Sequence, residues 1–171
     1  MNNTLIHRGP DGEGYLLGGA PEPDVDLPGC DLVYSPIPFA FGYRHLAILD
    51  LSEQDHQPMC YRDRYWIVYD GRVYNYIELR EELEALGYTF CSRTDTEIIM
   101  ASYDAWGVDY LNRFNGEWAF VLYDSETEEL FISRDRFGIK PFYYYQDDQH
   151  FIFGSEIKAL LKHPAVTREP N

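Results

Sequence analysis

The chain has little cysteine, little positive charge and no long apolar run, and each shortage excludes something. Cys30, Cys60 and Cys91 are the only cysteines in 171 residues. They are odd in number, widely spaced and form no Cys-x-x-Cys pair, which argues against a disulfide framework or a zinc site. Reduced thiols of this kind fit a cytoplasmic protein. Lys and Arg total 14 against 29 Asp and Glu, a formal net charge of -15. Nucleic-acid phosphates require a positive surface, and an anionic membrane would repel this one. No segment approaches the roughly eighteen apolar residues of a membrane span, and no signal peptide opens the chain. The expectation is a protein with no nucleic-acid partner, no membrane partner and no metal.

What is present fits one folded domain over residues 1–171, long enough to bury a core. Its 15 tyrosines and 10 phenylalanines favour sheet, where flat rings pack on pleated surfaces. Gly18 to Pro38 holds five prolines, four acidic residues and three glycines. Such a stretch sustains neither helix nor central strand and reads as an exposed insertion loop over 18–38. Strands are expected up to Leu17, over Phe39–Leu51 and over Tyr65–Tyr69, with a loop around Asp55–Pro58.

A helix follows, with Asn75 as N-cap, Glu78 at the capping-box position, Leu79, Leu83 and Leu86 at helical spacing, and Gly87 as its left-handed stop. A second begins near Thr94 or Asp95, buries Ile98, Ile99 and Trp106, and stops at Gly107. Trp118–Tyr123, Leu130–Arg134, Phe142–Tyr145 and Phe151–Phe153 read as strands. Ser155 caps a closing helix over Glu156–Lys162. This order suggests stacked layers with antiparallel sheets rather than a parallel, doubly wound sheet.

Four segments stand out: His7-Arg8-Gly9-Pro10-Asp11-Gly12, Asp70-Gly71-Arg72-Val73-Tyr74-Asn75, Arg93-Thr94-Asp95-Thr96-Glu97, and Arg134-Asp135-Arg136-Phe137-Gly138-Ile139-Lys140-Pro141. Taken singly, the first is a turn, Asn75 and Asp95 are helix caps, and the last is a structural loop whose charges can pair locally. Taken together with Phe114-Asn115-Gly116-Glu117-Trp118-Ala119-Phe120, they resemble the glutamine-hydrolysing domain of asparagine synthetases, a family of class II glutamine amidotransferases. The resemblance runs from His7 to about Arg168.

The resemblance implies an α+β fold, a four-layer α/β/β/α sandwich of the N-terminal-nucleophile type with two mostly antiparallel sheets, here N-terminally truncated. It also implies chemistry. Family members attack the side-chain amide of glutamine with an N-terminal cysteine whose own α-amino group is the base. That cysteine lies a few dozen residues before the His-Arg-Gly-Pro-Asp segment. Here six residues precede His7 and none is cysteine, so no catalytic residue is assigned. Cys30, Cys60 and Cys91 are internal and cannot replace a terminal one.

Of the substrate-holding set, Arg8 corresponds to an arginine beside the nucleophile. The arginine that clamps the glutamine α-carboxylate falls on His45, with Arg44 one place earlier; adjacent strand residues face opposite ways, so Arg44 is no ready replacement. Asp70 stands where the family has an oxyanion-donating asparagine, and an ionised aspartate only accepts hydrogen bonds. Gly71 keeps its backbone N–H as the oxyanion-hole remnant. Arg72 replaces a glutamate near the substrate's amino group. Asp95 matches the aspartate that binds that amino group.

The resulting expectation is a truncated amidotransferase domain that does not hydrolyse glutamine. It needs no cofactor of its own; ATP and Mg belong to the synthetase domain that follows in relatives. Its partners would be glutamine, a synthetase-domain protein or a second copy, because loss of an inner strand exposes a sheet edge. The alternative is a degenerate, non-catalytic scaffold that docks on a synthetase-like enzyme; a third reading, which the sequence does not separate from it, is a relative that builds amide or lactam bonds without glutamine and keeps this domain only as a scaffold.

Overall fold

Nine residues, Tyr65–Val73, form the strand around which the molecule is built, and their alternation explains why. Tyr65, Ile67, Tyr69 and Val73 are buried on one side, while Val68 and the half-buried Trp66 belong to a second cluster on the other. A strand apolar on both faces must be covered on both, which demands layers. The structure, a computed structural model, describes residues 1–18, 39–46 and 56–168. Most of the 18–38 loop, Cys30 within it, and residues 47–51 of the strand expected from Phe39 lie outside the described residues.

The strands are β1 (Gly12–Leu17), β2 (Ala40–His45), β3 (Met59–Tyr61), β4 (Tyr65–Val73), β5 (Gly116–Asp124), β6 (Glu129–Arg134), β7 (Tyr143–Gln146) and β8 (Phe151–Gly154); the helices are α1 (Tyr76–Ala85), α2 (Asp95–Trp106) and α3 (Ile157–Leu160). β3-β4-β5-β6 form an antiparallel sheet in that order, and β1-β2 and β7-β8 are separate antiparallel pairs. On one face of the large sheet, Trp118, Phe120 and Leu122 of β5 join Ile67 and Tyr69 of β4 beneath Leu79 and Leu83 of α1 and Ile98, Ile99 and Met100 of α2. On the other, Val68 and Val121 meet Leu16 of β1, Phe41 of β2 and Phe153 of β8. α3 packs on β8, with Leu160 against Gly154. The layers are therefore helix, sheet, sheet, helix, an α+β sandwich as expected, with the second sheet layer seen as two strand pairs among the described residues.

Several local expectations need correction. Asn75 precedes α1 but makes no side-chain cap bond. Its Nδ2 donates to the Arg113 carbonyl and its Oδ1 accepts from Asn115 N–H, both at 2.9 Å, so it fastens the entry to β5 instead. Leu86 is exposed, because α1 ends at Ala85. Gly87, at φ +93°, does supply the stop. Gly107 at φ +58° likewise ends α2, but a 3-10 segment, Gly107–Arg113, follows it, and Trp106 is only half-buried. α3 is shorter than expected, and its N-cap is Glu156, not Ser155. The Glu156 carboxylate is drawn away to His7 and Lys158, at 2.7 and 2.9 Å. β3 was not expected at all.

In the Arg134–Pro141 loop the charges bond to backbone and not to one another. Asp135 accepts from the N–H groups of Phe137, Ile139 and Lys140, each at 3.0 Å. Arg134 donates to the carbonyls of Lys140 and Gly138, both at 2.6 Å.

Candidate functional site

The hydrogen-bonding direction of β5 determines what β4 offers. Asp135 N–H donates to the Trp118 carbonyl at 2.8 Å, so Trp118 turns its backbone polar groups toward β6. Its partner across β4 is Gly71. Gly71 N–H therefore points away from β5, as do those of Tyr69 and Val73 at two-residue spacing. β3 covers this edge only to Ile67. Tyr69 N–H donates to Gln57 Oε1 at 2.6 Å and Val73 N–H to Asp95 Oδ2 at 2.8 Å. Between them, Gly71 N–H meets no acceptor among the described residues. This is an N–H donor on a strand edge, flanked by two donors already satisfied.

Asp95 begins α2 but does not cap it; Thr94 is the N-cap residue. Asp95 is 5% exposed, and its Oδ2 accepts from the Tyr69 hydroxyl at 2.8 Å as well as from Val73. Its Oδ1 faces Arg72 Nη1 at 3.6 Å. Burial, and then the Asp95 charge, push the Tyr69 phenol well above its ordinary range, so it stays a neutral donor. Glu97, two residues on, accepts from Cys91 N–H and Ser92 N–H at 2.9 and 2.8 Å and shapes the approach to the helix.

The Asp70 side chain is held by two cations. Arg8 Nη2 donates to Oδ2 at 3.0 Å, and Lys140 Nζ lies 3.3 Å from Oδ1 and 3.5 Å from Glu117 Oε1. Arg8 also reaches Glu156 at 3.6 Å. The Lys158 ammonium, and then His7, hold the Glu156 carboxyl down at about 2, against the opposing cost of removing it from water. Of these groups, Arg8, Glu156 and Lys158 border a depression of about 400 Å³ that also touches Pro141 and Tyr143.

The structure thus brings Arg8 to Asp70 and Arg72 to Asp95, on either side of Gly71. It does not bring Arg44 to them: its guanidinium lies 3.0 Å from Glu13 and donates to Asn3 Oδ1 at 2.9 Å. His45 faces away from Arg44, as strand alternation requires, with its ring 5.7 Å from that of His56 and Nδ1 buried without a partner among the described residues. The sequence alone does not single out Lys140, Glu117, Glu156, Tyr69 or Gln57. Lys140 sits in a segment read as purely structural; its neighbours in space are remote in sequence, and only a cation of that motif offered a hint. Among the described residues there is no group of three or more His, Cys, Asp or Glu placed to hold a metal, and no helix long and apolar enough to cross a membrane.

A four-layer sandwich of this kind is the fold of N-terminal-nucleophile amidotransferases. A glutamine phosphoribosylpyrophosphate amidotransferase from B. subtilis superposes with a TM-score of 0.59 over 71% of this chain and 28% of its own, at 20% identity, a likeness of fold alone. The family follows from sequence: the family model described as glutamine amidotransferase domain matches residues 28–171, and the chain belongs to that family. Relatives include the glutamine-hydrolyzing asparagine synthetases 1 and 3 of Bacillus subtilis, 40% and 38% identical over 94% and 97% of this chain. A Methanocaldococcus jannaschii protein assigned as the same enzyme is 39% identical over 100% of it. The chain spans 33%, 23% and 24% of the M. jannaschii protein and of B. subtilis synthetases 1 and 3, respectively.

Proposed function

We propose that the chain is the glutamine amidotransferase domain of an asparagine synthetase-like protein, with its ligand site on the open edge of β4, and that residues 1–171 bind the side-chain amide without cleaving it. In the full-length setting such a domain would supply ammonia from glutamine for the ATP-dependent conversion of aspartate to asparagine. The reading that the site takes a carboxamide rests on Gly71: a backbone N–H with no acceptor is suited to a carbonyl oxygen. Arg8 and Asp95, the positions that resemble the family's substrate-holding residues, lie on either side of it through Asp70 and Val73.

The reading that this site does not hydrolyse the amide rests on Asp70. Cleavage needs a second donor for the oxyanion, and a carboxylate gripped by Arg8 and Lys140 supplies none. Nor is Cys60 an activated nucleophile. Burial and the Asp63 charge push its thiol up to about 11, so it is protonated at neutral pH.

The test is ammonia release from L-glutamine by the purified chain, read in a coupled enzymatic assay. The expected result is the buffer background, unchanged by a thiol-blocking reagent. Turnover that such a reagent abolishes would overturn the non-hydrolytic part of the reading.

A further inference from the structure

Asp95 is buried, yet half of it is spoken for by a cation from its own chain. Oδ2 is saturated by Tyr69 and Val73, which leaves Oδ1 as the acceptor available to a ligand. Arg72 Nη1 stands 3.6 Å from that oxygen, too far for a hydrogen bond and close enough to cancel its charge. The Arg72 side chain is 41% exposed, so part of its guanidinium fork faces solvent. Gly71 N–H lies on the same strand edge, about 7 Å from Val73 N–H by strand repeat, which is the span of a short carbon skeleton. A ligand that places its carbonyl oxygen on Gly71 therefore brings its far end to the Asp95–Arg72 pair.

We infer that Arg72 is a specificity-determining residue of this site: by neutralising Asp95 it disfavours carboxamides that carry an ammonium group and favours carboxamide acids that lack one. This deepens the carboxamide reading and rests on it. An ammonium arriving at Oδ1 meets a carboxylate with no net charge to offer and a guanidinium that repels it. A carboxylate arriving there finds the planar fork of Arg72, which suits two parallel hydrogen bonds. Asp70 does not alter this balance, since Arg8 and Lys140 already pair with it.

The experiment is calorimetric titration of the chain with L-glutamine and with 4-carbamoylbutanoic acid, which is glutamine without its amino group. Arg72→Ala and Arg72→Glu are titrated beside the wild type; the side chain is half-exposed, and circular dichroism checks that both variants keep the fold. The wild type is expected to prefer the des-amino acid by roughly tenfold, the worth of one charge-assisted contact. Arg72→Ala should erase most of that preference and Arg72→Glu should reverse it. Glutamine binding gained only in Arg72→Glu also supports the inference. An identical ratio in all three proteins, with binding intact, overturns the role of Arg72 and leaves the carboxamide site standing. No binding of either compound to any of the three overturns the carboxamide site, and the inference with it.

Discussion

Replacing Asp135 with alanine is expected to remove about 3 kcal/mol of unfolding free energy, because it takes away the buried acceptor that three backbone donors share. The Asp135 side chain collects Phe137, Ile139 and Lys140 N–H while 5% exposed. Asp135→Asn keeps one oxygen but turns an NH₂ toward Lys140 N–H, and should cost about half as much. The pH dependence has a definite sign. Burial opposes ionisation of Asp135, but the hydrogen bonds from Lys140, Ile139 and Phe137 outweigh it and hold the carboxyl below its ordinary value.

A carboxyl depressed in the folded state contributes stability that is complete above the unfolded value of roughly 4. That contribution is lost as pH falls through the lower folded value. Urea unfolding of wild type and Asp135→Asn at pH 7, 5 and 3 should therefore show a gap between the two that narrows only at the acid end. A gap independent of pH would show that the charge of Asp135 does not matter. The loop also carries Lys140 to Asp70, so the alanine variant should loosen the ligand site along with the fold.

The second large effect is expected at Gly71. A Cβ there would lie 2.3 Å from the Glu117 carbonyl oxygen, 2.8 Å from Trp118 Cα and 2.6 Å from Tyr69 Cε2. Two of the three are backbone atoms of β5, which cannot rotate aside, so β4 and β5 would have to separate beside the buried Trp118 and Tyr69. Gly71→Ala is expected to cost about 3 kcal/mol or more. Gly87 is the control. Nothing lies within 4 Å of a Cβ placed there, and only its φ of +93° resists a side chain. Gly87→Ala should cost about 1 kcal/mol. Thermal and urea unfolding of both variants checks the pair, and equal losses would contradict the close approach of β4 to β5.

Local patterns were readable in the sequence where the deciding forces are local. The first five residues of β4, the isoleucines of α2 and the glycines that end α1 and α2 depend on periodicity and backbone freedom and were placed correctly, whereas β4 runs on from Tyr69 to Val73 through residues that resemble a loop. Asn75 shows where this stops. An asparagine before a helix is a good cap by its neighbours alone, yet its amide is taken by Arg113 and Asn115, nearly forty positions on. Ser155 is not a cap either, because the helix begins at Ile157 behind Glu156.

The site divides along the same line. The opposite orientations of Arg44 and His45 follow from strand alternation and were foreseen. That Asp95 would be filled by Tyr69, Val73 and Arg72, or that Lys140 would reach Asp70, depends on how layers stack and on which edge of β4 is left bare. Resemblance to a family named Asp70, Arg72 and Asp95, but only the fold shows that Asp70 is clamped and that Arg72 stands 3.6 Å from Asp95.

The most direct measurement is a ¹⁵N–¹H correlation spectrum of the 20.0 kDa chain titrated with 4-carbamoylbutanoic acid and with L-glutamine. If the open edge of β4 receives the carboxamide, the Gly71 amide proton will move downfield on saturation, as expected when a free N–H gains an acceptor, with smaller shifts at Arg72 and Asp95. A Gly71 resonance that stays in place while the ligand perturbs another part of the chain would contradict the account.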